Sequence, residues 1–149
     1  MKWILKKYDE LTTEEFHNIL QLRINVFVVE QNCPYPELDG KDKIALHFFA
    51  FAEENPSQII AYTRLFKPGD YYKKASIGRV VVHRDFRKKN IGHQLIENSI
   101  NQIKKVFNTS KIKIGAQTYL KNFYTQHGFL QTGKAYIEDG IPHIYMIKE

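Results

Sequence analysis

The stretch Val80-Val81-Val82-His83-Arg84-Asp85-Phe86-Arg87-Lys88-Lys89-Asn90-Ile91-Gly92-His93 passes from a β-branched run into a basic loop and then into an apolar, helix-periodic segment. Such a strand–loop–helix junction presents unpaired backbone N–H groups and the positive end of the helix dipole, which together favour an anion. Arg87, Lys88 and Lys89 bring cationic side chains to the same place. Asn90 tolerates the left-handed conformation that a tight turn needs, and Gly92 lets an anion approach the backbone. On residue chemistry alone the junction is either a phosphate site or a solvated basic loop ahead of a helix.

Outward from this junction the punctuation is clear. Upstream, Ala75–His83 is a strand; Ala45–Ala52 and Ile59–Phe66 form an antiparallel hairpin around Glu53–Gln58. Trp3–Lys7 is a first strand. Thr12 and Glu15 make a capping box, with Leu11 and Phe16 at the staple positions. The helix that follows shows Phe16, Ile19, Leu20, Arg23 and Phe27 on one face, weakens through Val26–Val29, and cannot pass Cys33-Pro34-Tyr35-Pro36. Downstream, Gly92–Phe107 is a strong helix with Ile96, Ile100, Ile103 and Phe107 on one face. Lys111–Tyr119 is the next strand, and Leu120–His127 a short helix stopped by Gly128. Phe129–Ile137 and His143–Ile147 close the chain as a pair. The order β-α-β-β-β-α-β-α-β-β predicts a mixed α/β (α+β) fold with about seven strands. The crossover through Gly92–Phe107 makes the strands on either side of it parallel.

Composition narrows the class. The 149 residues carry 22 Lys+Arg against 16 Asp+Glu, a net +6, with 43% hydrophobic and 26% charged residues. This is the balance of a globular chain, of a length that predicts one domain over residues 1–149. The single cysteine, Cys33, rules out an intrachain disulfide and suits a reducing, cytoplasmic home. No apolar run reaches membrane-spanning length, which argues against a membrane partner. The histidines show no metal-ligand spacing, so no metal is expected. The surplus of positive charge asks for an anionic partner that composition cannot name.

Two motifs carry a family resemblance. Arg87-Lys88-Lys89-Asn90-Ile91-Gly92 is similar to the R/Q-x-x-G-x-G/A pyrophosphate loop of the GNAT superfamily of N-acetyltransferases, with Asn90 where the family usually has glycine. Phe123-Tyr124-Thr125-Gln126-His127-Gly128-Phe129 resembles the family's Y-x-x-x-G-F, and the interval from Gly92 holds one helix, one strand and a turn. The ElaA-like branch is resembled over nearly the whole chain. Leu22-Arg23, Val26–Tyr35, Glu37, Asp39-Gly40, Asp42 and His47 are similar to its N-terminal signature; Ile114–Gln117 and Glu138–His143 are similar to its later segments.

The resemblance implies a GNAT-like sheet whose two parallel central strands splay around acetyl-CoA. Val80, Val81 and Val82 would meet the pantetheine; Arg87, Lys88, Lys89, Asn90, Ile91, Gly92 and His93 the phosphates; Gln117 and Phe123 would also line the cofactor. An amine attacks the thioester directly, so Cys33 is not expected to be a nucleophile. Tyr124 is expected to protonate or hydrogen-bond the departing thiolate. Glu30 and His47 are expected to deprotonate the amine, with Asp42 another carboxylate in the same stretch. Arg23, Glu37, Asp39, Asp139 and His143 are expected around the acceptor, although Arg23 also reads as a salt-bridge partner for those carboxylates. The acidic residues from Glu30 to Asp42 suggest a cationic small molecule or peptide as acceptor.

Rival readings keep part of this picture. A non-catalytic acyl-CoA sensor would bind the cofactor without transfer. The Arg23–Phe27–Glu30 pattern is also similar to acyl-homoserine-lactone synthases, which share the fold. The basic patch alone would allow nucleic acid, but no helix-turn-helix, RNP or Cys/His motif accompanies it, so none is expected. A homodimer is left open.

Overall fold

A computed structural model describes all residues 1–149. Strands β1 (Lys2–Lys7), β2 (Leu46–Phe51), β3 (Ile59–Phe66) and β4 (Ser76–Val82) form one antiparallel sheet in that order. Strands β5 (Ile112–Gln117), β6 (Leu130–Glu138) and β7 (Ile141–Lys148) form a second, with β7 between the other two. The element order and the mixed α+β class are those read from the sequence.

The sheets meet where the crossover demands parallel strands. β4 and β5 are joined by one parallel bridge, Ala75 to Ile112, with the Lys113 amide donating to the Ala75 carbonyl at 2.9 Å. Beyond that point no ladder connects them, so they part towards their C-terminal ends and leave a wedge between the sheets. A bulge in β4 helps to open it. Arg64 faces Gly78 and Tyr62 faces Val81, so Arg79 and Val80 both stand opposite Thr63. Arg79 takes φ 50°, and the extra residue bends the strand away from its neighbour.

Helix α1 (Thr13–Ile24) and helix α2 (Ile91–Phe107) cover opposite faces of the first sheet. The capping box forms as expected: the Glu15 amide donates to Thr12 Oγ1 at 3.0 Å, and the Thr12 amide to Glu15 Oε1 at 2.9 Å. Behind α1, Val26–Val29 do not fray the helix but widen it into a π-helical segment, Asn25–Glu30. Ile19, Leu22, Arg23 and Val26 form the buried stripe at regular helical spacing, while Leu20 and Phe27 beside it are half-buried. On α2 the fully buried Leu95, Ile96 and Ile103 each contribute roughly 1.5–3 kcal/mol of apolar burial. Ser99, also buried, is satisfied by Thr63 Oγ1 of β3 at 2.8 Å.

The short helix α3 (Lys121–Thr125) ends in a Schellman motif. The Phe129 amide donates to the Tyr124 carbonyl and the Gly128 amide to the Thr125 carbonyl, with Gly128 at φ 90°. This motif places an apolar residue two beyond the helix against one in its last turn, here Phe129 against Tyr124 with ring centroids 6.0 Å apart. The Y-x-x-x-G-F pattern therefore has a mechanical meaning: it fixes the tyrosine ring by capping its own helix.

Candidate active site

Between the diverging strands lies a cleft of about 650 Å³, running from the α2 N-terminus to the β6–β7 turn. Its first end is built for an anion. Asn90 precedes α2 at φ 62°, as its residue type suggested, and Lys88 takes φ 65° as well. The first intrahelical bond runs from Gln94 to Asn90, which leaves the amides of Ile91, Gly92 and His93 without an acceptor in the chain. Gly92 faces the cleft above Phe123, and a Cβ there would sit 3.6 Å from that ring. Three free amides, a helix dipole and the adjacent Arg87 fit the diphosphate of a coenzyme A.

The middle of the cleft holds Val80, Val81, Val82, Gln117, Phe123 and Tyr124. Burial raises the Tyr124 hydroxyl well above the ordinary phenol range, so it carries its proton at neutral pH. That hydroxyl makes no hydrogen bond within the protein and is free to donate into the cleft. Val82 offers less than expected, because Arg87 Nε already donates to its carbonyl at 3.1 Å.

Three successive contacts bind the exit of the π-helical segment across the mouth. Glu30 pairs with Arg87 at 2.5 and 3.2 Å, and the Gln31 and Gln117 amides hydrogen-bond each other reciprocally at 3.2 and 3.3 Å. The Cys33 thiol donates to the Asp139 carbonyl at 3.3 Å. Gln31 was not anticipated from the sequence.

The acidic stretch has a different purpose from the one expected. Arg23 has no solvent exposure; its Nε meets Glu37 at 2.5 Å and its Nη1 meets Asp42 at 2.8 Å. Arg64 meets Asp39 at 2.6 Å and Asp42 at 3.1 Å, and Arg79 meets Glu37 at 2.8 Å. Burial opposes the charge on Arg23, but Tyr62, Asp42 and Glu37 more than offset it and its pKa rises. Burial likewise disfavours the Asp39 and Asp42 carboxylates, and their arginine partners nevertheless hold both below the usual range. Arg23 and Glu37 are thus structural ions outside the cleft, which corrects their expected place at the acceptor. His47 is corrected too. It is fully buried, its Nδ1 lies 2.7 Å from the Tyr62 hydroxyl and its Nε2 2.8 Å from the Asp42 carbonyl. Burial lowers its pKa, and no face of the ring reaches the cleft. The His93 ring is also taken, by His127 Nε2 at 2.8 Å, and the Ile91 side chain is in the core. Lys88, Lys89 and Asn90 are exposed on the loop outside the cleft wall.

Arg64 and Arg79 were missed. Arg64 had a signal: an arginine inside the apolar run Ile59–Phe66 demands carboxylates when that strand is buried throughout. At the far end of the cleft the wall includes Asp39, Asp139 and His143, three residues expected around the acceptor, together with Glu138, Tyr71 and Tyr136.

Comparison with known proteins identifies the family and the fold. A family model for an acetyltransferase (GNAT) domain matches residues 8–149. Protein ElaA of Escherichia coli strain K12 is 36% identical over 149 residues, covering 100% of this chain and 97% of that one. The crystal structure of an acyl-CoA N-acyltransferase from Pseudomonas aeruginosa is similar with a TM-score of 0.92, 36% identity and full coverage of both chains. The crystal structure of Escherichia coli ElaA is similar with a TM-score of 0.89 and 34% identity, also over both whole chains.

Proposed function

This chain belongs to the GNAT acetyltransferase family, in its ElaA-like branch of N-acyltransferases, and from that premise we propose that it transfers an acetyl group from acetyl-CoA to a primary amine. The observation that supports this best is the wedge between β4 and β5, with three unpaired α2 amides at one end and the free Tyr124 hydroxyl in the middle.

The amides of Ile91, Gly92 and His93 hold the diphosphate, with Arg87 beside them. Backbone N–H groups of the β4 bulge near Val80 polarise the thioester carbonyl. The amine lone pair forms the new N–C bond while the carbonyl π pair moves onto oxygen. Collapse breaks the C–S bond, and the electron pair leaves on sulfur. Tyr124 donates a hydrogen bond to that thiolate as it forms. Overall an ammonium and a thioester become an amide, a thiol and one released proton. We place the reaction in the cytoplasm, as the single thiol suggests; no helix is long and apolar enough to cross a membrane.

A free-thiol release assay with acetyl-CoA over polyamines, amino acids, amino sugars and N-terminal peptides tests the proposal. Amine-dependent thiol release is expected, together with a CoA-induced rise in Tm. A Tm rise with no amine-dependent release over the whole panel would favour the sensor reading instead.

A further inference from the structure

The amine must lose a proton before it attacks, and the two groups expected to take it, Glu30 and His47, are occupied by Arg87 and by the Tyr62–Asp42 pair of contacts. The other carboxylates can be checked one by one. Asp39, on the cleft wall, is held by Arg64 and Arg79, while Glu37 and Asp42 lie behind the wall against arginines. Glu138 and Asp139 are the cleft carboxylates without an arginine or lysine partner.

Beside them stands His143, in the middle strand of the second sheet. Its neighbours are Gln117 of β5 on one side and Tyr136 of β6 on the other. The ring is held from two directions. It stacks on Tyr136 with centroids 5.6 Å apart and planes 29° apart, and its Nδ1 lies 2.7 Å from the Ile141 carbonyl. A carbonyl can only accept, so Nδ1 carries the proton and the neutral ring presents its lone pair at Nε2. Nε2 lies 3.6 Å from Glu138 Oε2, at the cleft wall. The titratable groups facing it are Tyr136 and Glu138 from β6, Asp139 from the turn, and the Cys33 thiol held against that turn.

We propose that His143, oriented by the Ile141 carbonyl and backed by Glu138, takes the proton from an aliphatic primary ammonium seated at the β6–β7 turn. This rests on the acetyl-transfer reading above and names its acceptor class. Glu138 and Asp139 attract the ammonium, and Tyr71 and Tyr136 supply the aromatic flank that suits a cation. One N–H bond of the ammonium breaks, its proton moves to Nε2, and the freed lone pair forms the bond to the thioester carbon. Glu138 stabilises the imidazolium until its proton passes to solvent.

Two probe amines separate this role from a structural one, both with saturating acetyl-CoA. Butylamine is protonated at neutral pH and needs a proton acceptor; 2,2,2-trifluoroethylamine is already neutral. His143→Gln is expected to lower kcat/KM for butylamine by about 100-fold and for trifluoroethylamine by less than about 5-fold, with the acetyl-CoA KM unchanged. If His143→Gln loses the CoA-induced Tm rise, Glu138→Gln, at an exposed side chain, carries the test, and butylamine should suffer about 10-fold more than trifluoroethylamine. Equal losses with both amines, or no loss with either, overturn the role of His143 and leave acetyl transfer standing. Wild-type protein that releases no thiol with these probes or with the wider amine panel overturns acetyl transfer, and this inference with it.

Discussion

Tyr124 illustrates how one side chain acquires a role from its surroundings. Burial raises its pKa, so its proton is retained at neutral pH, whereas a thiol ordinarily ionises near 8.5. Full proton transfer from such a phenol to a thiolate is uphill, so the role proposed for Tyr124 is a hydrogen bond that strengthens as charge gathers on sulfur. Tyr124→Phe should therefore lower kcat by at least about 10-fold while the acetyl-CoA KM moves little. Unchanged turnover at saturating acetyl-CoA would show that the ring serves only to pack against Phe129. The motif containing Tyr124 was legible because its spacing is local: Gly128 and Phe129 cap the helix that Tyr124 ends. The environment of His47 was not, since its partners Tyr62 and Asp42 reach it through a strand pairing and a loop.

Among the elements, the π-helical segment Asn25–Glu30 has the largest effect on the site. It continues α1 past Ile24 and delivers Glu30, Gln31 and Cys33 to the cleft mouth. The β-branched run Val26–Val29 predicted a weakening helix where the structure has a wider one. The Glu30–Arg87 pair that results is partly exposed, with side chains 35% and 38% accessible. Such a pair is worth about 0.2–1 kcal/mol, and its carboxylate sits beside the place where phosphates would bind. Glu30→Gln should free Arg87 for the diphosphate and tighten acetyl-CoA binding by up to about 5-fold in calorimetric titration. Weaker binding in that variant would show that Glu30 supports the loop rather than competing for it. The α2 start, by contrast, was readable, because the left-handed turn and the free amides are consequences of residues adjacent in the chain.

At the scale of the whole molecule, three arginines and three carboxylates tie α1, β3 and β4 to the loop that follows the π-helical segment. Removing a partner from a buried pair leaves an uncompensated charge. Arg23→Ala should destabilise the fold by roughly 3–5 kcal/mol in urea unfolding, with turnover of the folded fraction little altered. Comparable stability in that variant would mean that Arg64 and Arg79 suffice to hold Glu37 and Asp42. The same network sets the pH response. The folded pKa values of Asp39 and Asp42 are depressed, so their contribution is complete above the unfolded carboxylate range near 4 and is lost as pH falls from there through the lower folded values. His47, depressed by burial, adds a loss in the same direction that begins as pH falls below about 6.5. Tm should accordingly decline from pH 7 towards 5 and fall more steeply below 4, and a flat profile down to pH 3 would contradict the pairing.

Alone, the sequence determined the element order, the parallel crossover, the left-handed turn before α2 and the Tyr124 cap. The turn and the cap rest on residues within a few positions of one another, where backbone propensity and side-chain capping act directly, and the crossover on the fixed handedness of a strand–helix–strand unit. Only the tertiary structure decided which charges are structural and which face the cleft. Glu37, Asp42 and His47 looked as available as Glu138 and His143, until the packing of α1, β3 and β4 placed Arg23, Arg64, Arg79 and Tyr62 against them. Burial makes a charge seek its partner across the fold, and that search has no signature in sequence spacing.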